Sequence, residues 1–183
     1  MINIGQVNEL MGLERTMNEL NHQLTTAFFK SYRSAIEEIG AEFLRYFQSK
    51  GLTVSTKEDT RSSPQSKYFI ASQGRVEFSL RCQYRVNSSS TEYFDLEVTD
   101  DNFKKTNQLI DIKPNREMHA YGIERDGTTE EKITKTREHI QSLQEQIKEV
   151  GNLTYSLSLR DGYKKIGENV IPNITALLGR LAQ

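Results

Sequence analysis

An α+β fold, an antiparallel β-sheet meander covered by helices, is predicted by three features of the sequence. Apolar residues recur at helical spacing over the first fifty positions. Strict alternation of apolar and polar residues then dominates the middle of the chain. A second stretch with heptad spacing, narrow and richly charged, follows around residue 130. Helical and strand patterns are therefore segregated along the chain, whereas a doubly wound α/β protein would alternate them.

In the N-terminal segment Leu10, Leu13, Met17, Leu20, Leu24 and Ala27 step by three and four, which is the a/d seam of a heptad helix. The stripe continues through Phe28, Tyr32, Ile36, Ile39, Phe43 and Phe47, where the spacing drifts toward 3.6 and the stripe becomes wide and aromatic. The first half thus calls for one partner helix and the second for a globular core. Gly12 and Gly40 each cost about 1 kcal/mol against Ala in a helix interior, and Gly40 is the expected kink or break. Unbroken, the helix would run about 65 Å at 1.5 Å per residue. Gly51 suits its stop.

Leu52–Thr56 reads as a short strand, Arg61–Ser66 as a loop, Lys67–Ser72 as a strand and Gln73-Gly74 as a tight turn. From Arg75 to Val86, apolar Val76, Phe78, Leu80, Cys82, Tyr84 and Val86 alternate with polar neighbours, predicting one buried and one wet face. After a Ser-rich loop, Tyr93–Thr99 alternates again with Phe94, Leu96 and Val98 inward. Pairing Tyr84 with Phe94 shares the inward face and sets Arg81 opposite Glu97 and Gln83 opposite Asp95. A slip of one residue would bury both acids. Leu109–Ile112 and Met118–Glu124 read as two more short strands around Lys113-Pro114-Asn115.

Thr128 and Glu131 have the spacing of a capping box. Ile133, Thr136, Ile140, Leu143, Ile147 and Val150 then occupy a and d positions of a second heptad helix, closed by Gly151. Leu153–Arg160 alternates as a further strand. Val170, Ile174, Leu177 and Leu181 form a last helical stripe, with Asn169 as cap and Pro172 in the first turn. The expected organisation is a helical association segment, residues 1–50, packed on an α+β domain, residues 51–183, as one continuous domain.

Lys and Arg total 24 against 25 for Asp and Glu, so the formal net charge of -1 excludes a uniformly basic nucleic-acid coat and a strongly acidic tail protein. Hydrophobic residues make up 36% of the 183, which is lean but enough for a core. No apolar run approaches the roughly 18–20 residues of a membrane span, and the N-terminus lacks the pattern of a secretory signal. The cytoplasm is the expected location, with no membrane contact. Cys82 is the single cysteine, which excludes an intrachain disulfide and a Cys-rich zinc site.

No phosphate loop, dinucleotide glycine fingerprint, His-Glu-x-x-His or nucleophile elbow is present, so no catalytic, metal or cofactor site is expected. His22 and His139 could meet only if the two heptad helices pair. Asp95 and Glu97 sit at i, i+2 on one strand face, the pattern of paired metal-binding carboxylates in a metal-dependent nuclease. Thr99 stands where such an enzyme would want a lysine, and cross-strand pairing with Arg81 accounts for the acids without metal. Arg75, Arg81 and Arg85 lie on one strand face near Tyr68 and Tyr93, an arrangement that could hold phosphates and stack bases of a nucleic acid. Glu77, Asp95 and Glu97 on the same face offset its field.

The two heptad seams carry the most information. They predict a non-catalytic protein-binding or assembly subunit, a homodimer or the member of a heteromeric complex. Its interaction residues would be Leu10, Leu13, Met17, Leu20 and Leu24 on the first helix and Ile133, Ile140, Leu143 and Ile147 on the second. The seams close either against another chain or within one chain as an antiparallel pair. A nucleic-acid-binding module is the second reading and the nuclease the third.

Overall fold

The computed structural model describes residues 3–61, 65–84, 93–161 and 164–181, with backbone alone at 83, 84, 93, 161, 164–170, 180 and 181. Helix α1 spans Ile4–Gln48. Strands β1 (Thr53–Asp59), β2 (Gln65–Gln73), β3 (Val76–Tyr84), β4 (Tyr93–Thr99) and β5 (Lys105–Pro114) follow, then helix α2 (Thr129–Glu149). A single 3-10 turn, Val150–Asn152, leads to β6 (Tyr155–Asp161), β7 (Lys164–Ile171) and helix α3 (Ile174–Leu181). The described strands form one seven-stranded sheet in the order β1 to β7, every neighbouring pair antiparallel. The fold is α+β, an antiparallel meander with helices.

The chain divides into two compact units. Residues 1–33 and 116–153 form a helical unit; residues 34–115 and 154–183 form a sheet unit. Helix α1 supplies its first part to one and its last part to the other.

In the sheet unit, period-two alternation gathers Phe69, Leu80, Cys82, Phe94, Leu96 and Ile110 on one buried face. Ile36, Phe43 and Phe47 of α1 and Ile174, Leu177 and Leu178 of α3 supply buried helical side chains to this unit. Phe47 stacks on Phe78 with ring centroids 4.4 Å apart. Helix α1 passes through Gly40 without a break. A Cβ on Gly40 would lie 2.1 Å from the Phe69 ring, so this glycine serves a close helix–sheet approach rather than a kink. Lys67 of β2 bridges Glu37 of α1, at 2.6 Å, and Glu58 of the edge strand β1, at 3.2 Å. Burial works against the charged ammonium, but the two carboxylates outweigh it and raise the Lys67 pKa.

Three expectations about strands need correction. First, Cys82 pairs with Phe94 and Arg81 with Asp95, two residues away from the expected register. A two-residue shift preserves every face and again opposes Arg81 to an acid, so alternation cannot separate the two registers. On the other side of β4, Lys105 of β5 lies 2.7 Å from Glu97. Second, Met118–Glu124 is not a strand; its apolar residues serve the helical unit instead. Third, Val170 lies in β7, and α3 begins only at Ile174, with Asn173 Oδ1 accepting from the Ala176 amide at 2.8 Å. Asn169 therefore lies within β7 rather than at the start of a helix. The β7 sequence Lys-Lys-Ile-Gly-Glu-Asn-Val-Ile has too little alternation to announce a strand.

In the helical unit, α1 and α2 run parallel. Glu9 ion-pairs with Arg137, and further along both helices Met17 and Leu24 share one buried core with Leu143 and Val150. This corrects the antiparallel arrangement expected for an intrachain pair. A parallel pair requires the chain to travel back, and residues 116–128 do so as an extended strap. Arg116 bonds Glu149 at 2.9 Å, His119 N bonds Gln146 at 2.7 Å, and Lys132 reaches the Arg125 carbonyl at 2.7 Å, so the strap runs antiparallel to α2. The Asn21 amide satisfies both backbone groups of Tyr121, at 2.8 and 3.0 Å, where no strand partner exists. The predicted capping box at the start of α2 is present, with Thr128 N donating to Glu131 at 2.7 Å and Glu131 N donating to the Thr128 hydroxyl at 3.3 Å.

Candidate functional site

The heptad residues are brought together within one chain. Met17, Leu24, Ile133 and Leu143 are buried, and Leu10, Leu13, Leu20, Ile140 and Ile147 are half-buried. Leu20, Ile140 and Ile147 pack on the Met17–Leu24–Leu143–Val150 core, joined from the strap by Met118 and Tyr121. The Tyr121 ring stacks on His139 at 4.3 Å, and its hydroxyl meets that of Ser142 at 2.9 Å. His22 instead stands exposed on α1. The a/d seam is thus largely consumed by the α1–α2 pair and the strap.

What the helical unit leaves open is its outer flank. Ile4 is 72% exposed, Met11 62% and Ile123 49%, three of the four large hydrophobics most open to solvent among the described residues. Met11 and Ile123 border a shallow cleft of about 580 Å³ ringed by Glu14, Arg15, Glu19 and His22. Ile4 and Met11 each stand one position after an a residue in consecutive heptads, an outward place that normally carries a polar group. That spacing was the sequence signal for this flank; Ile123 had none, because only the strap brings it to α1.

The second candidate surface is the sheet face opposite the core. Tyr68, Arg81, Asp95, Leu109 and Arg160 stand in one cross-strand row over β2 to β6. The Arg81 guanidinium lies 5.6 Å from the Tyr68 ring centre and 3.3 Å from the Ser66 hydroxyl. Arg160 Nε is 2.7 Å from Oδ1 of Asp111, whose side chain is fully buried. Burial raises the Asp95 pKa and Glu97 adds to the shift, while Arg81 opposes it. Asp111 and Arg160 went unread in the sequence, although an aspartate inside the apolar run Leu109–Ile112 is the kind of residue that demands a buried partner.

Of the arginines proposed for nucleic acid, Arg81 stands on this strand face. Arg75 sits in the turn before β3, its guanidinium 5.5 Å from the ring centre of exposed Phe103, a residue with left-handed backbone at φ 61°. Arg85 lies outside the described residues. Asp95 and Glu97 share a face as the nuclease reading requires, but Arg81 opposes one and Lys105 pairs the other. Asp100 closes the β4–β5 turn by accepting from the amides of Asn102 and Lys104, both at 2.9 Å. Among the described residues no group of three or more His, Cys, Asp or Glu is placed to hold a metal ion, and no helix is long and apolar enough to cross a membrane. Comparison with family models, curated proteins and solved structures returns no match, so the functional reading rests on the chemistry of these surfaces.

Proposed function

We propose that this chain is a non-catalytic protein-binding subunit of an assembly, and that it engages its partner through the outer flank of the helical unit. One observation carries the reading: Ile4, Met11 and Ile123 remain open to solvent on a helix pair whose own seam is already filled. Exposed aliphatic groups rimmed by charges are the usual anatomy of a protein interface, with an apolar centre and a polar edge. The partner that suits a stripe stepping by seven along α1 is a helix presenting its own apolar ridge, from a second copy or from another protein. A reducing cytoplasm accords with a chain whose single cysteine, Cys82, is buried and has no second cysteine to form an intrachain disulfide.

Native mass and co-purification test the reading. Wild-type protein is expected as an assembly larger than 21.1 kDa, either a dimer or a stoichiometric complex drawn from the source cell. The double variant Met11→Lys, Ile123→Asp should run as a monomer with unchanged circular dichroism. A monomeric wild type with no stoichiometric partner, or a double variant that stays assembled, overturns it.

A further inference from the structure

The sheet unit holds a cleft that the protein-binding reading does not use. Helices cover the core face, yet Phe78 and Val98, paired across β3 and β4 on that face, are only half-buried. They open into a cleft of about 440 Å³, whose apolar wall also includes Phe47 of α1, Leu96 of β4 and Leu178 of α3. Its polar lining comes from Tyr46, Thr106, Asn107 and Gln108. No charged side chain is among the described residues lining it. A cavity of a few hundred Å³, apolar on one side and provided with a few uncharged hydrogen-bonding groups on the other, is the general form of a small-molecule site.

We propose that this cleft binds a neutral amphiphile: an apolar, flat or chain-like body with one hydroxyl or N–H group at its end. Neutrality follows from the lining, because a charge desolvated there would find no counter-charge among the described lining residues. The position of the donor follows from Gln108. Its amide nitrogen is committed to the Arg160 carbonyl at 2.6 Å and the Leu109 carbonyl at 3.3 Å. Those two acceptors fix which end of the amide is nitrogen, leaving Oε1 as an acceptor for the ligand's N–H or O–H. The Thr106 hydroxyl, exposed beside it on the same strand face, can serve either sense. The apolar body would lie on Phe78 and Val98 and complete the burial that the helices leave unfinished.

The probe is N-phenyl-1-naphthylamine, a neutral aromatic amine with one N–H, titrated into the full chain and followed by fluorescence. One saturable site with micromolar affinity is expected. The same ring system carrying a sulfonate, 8-anilinonaphthalene-1-sulfonate, should bind about tenfold more weakly or worse. Val98→Trp fills the cleft and should weaken the neutral probe by at least about tenfold at unchanged circular dichroism. Thr106→Trp, at an exposed rim position, blocks the mouth and serves if the first variant fails to fold. Glu138→Gln, at an exposed position of α2 that lines neither cleft, should leave binding unchanged. The proposal is overturned by the absence of saturable binding, by equal affinity for the sulfonate, by unaltered binding in a folded cleft variant, or by loss of binding in Glu138→Gln.

Discussion

Two glycines in one helix show how a single residue is read only through its surroundings. Gly12 and Gly40 carry the same intrinsic penalty, about 1 kcal/mol against Ala. An added Cβ meets nothing within 4 Å at Gly12, whereas at Gly40 it meets the Phe69 ring at 2.1 Å. Gly12→Ala is therefore expected to raise unfolding free energy by up to about 1 kcal/mol. Gly40→Ala should lower it, because displacing a buried ring costs about 1–3 kcal/mol. Urea denaturation of the two variants checks the opposite signs. Asp95 offers a second residue-level test. Its folded pKa lies above the ordinary 3.8, so its contribution to stability is present below that value and is lost as pH rises through the folded one. A carbon-detected NMR titration should find the raised value. Arg81→Gln should raise it further and Glu97→Gln should bring it down, since the first removes an attracting charge and the second a repelling one. A reversed order of the two variants would rule out this account of the site.

At the scale of elements, the most stringent test is the strap. Residues 116–128 have no secondary-structure ladder for support beyond the first turn of α2, so Tyr121 anchors them through its ring, its hydroxyl and its backbone. Tyr121→Ala should speed amide exchange along the strap and expose Met118 while both helices persist; retention of strap protection would show that Tyr121 is not the anchor. The cap of α2 is separable from this. Thr128→Ala is expected to cost about 1 kcal/mol and to fray only the first turn, seen as faster exchange at Glu130 and Glu131. These elements also show what a sequence can and cannot declare. The capping box was legible because both partners lie within four residues. Faces of β3 and β4 were legible because alternation alone sets them. The strap was misread because a short run holding Met118, Tyr121 and Ile123 has the length and apolar content of a strand, and only a distant amide, that of Asn21, reveals that the chain is lying along helices. The β3–β4 register was off by two because face alternation and an acid opposite Arg81 are common to both registers.

For the whole molecule, the segregation of patterns was enough to give the α+β class and the meander, since both depend on chain order rather than on particular contacts. How the heptad seams close was beyond it, because a parallel and an antiparallel pair share the same apolar spacing. The candidate surfaces divide along the same line. The seam residues were visible as a pattern and are spent on the chain's own core, while Ile123, Asp111 and Gln108 gain their roles only from what folding sets beside them.

The meander has one unusual connection, and it bears on how the protein is made. Strands β5 and β6 are hydrogen-bonded neighbours, closed at their ends by Asn115 N on the Thr154 carbonyl at 2.9 Å, yet the whole strap and helix α2 are inserted between them. A ribosome therefore delivers β1 to β5 well before β6. At roughly 5–20 residues per second, β5 waits for seconds with one row of amides and carbonyls unpaired, Asp111 still without Arg160, and its outer edge open to any extended chain nearby. Newly synthesised copies crowded on one message are thus most prone to mispair at this edge, and the last third of the chain acts as its guard.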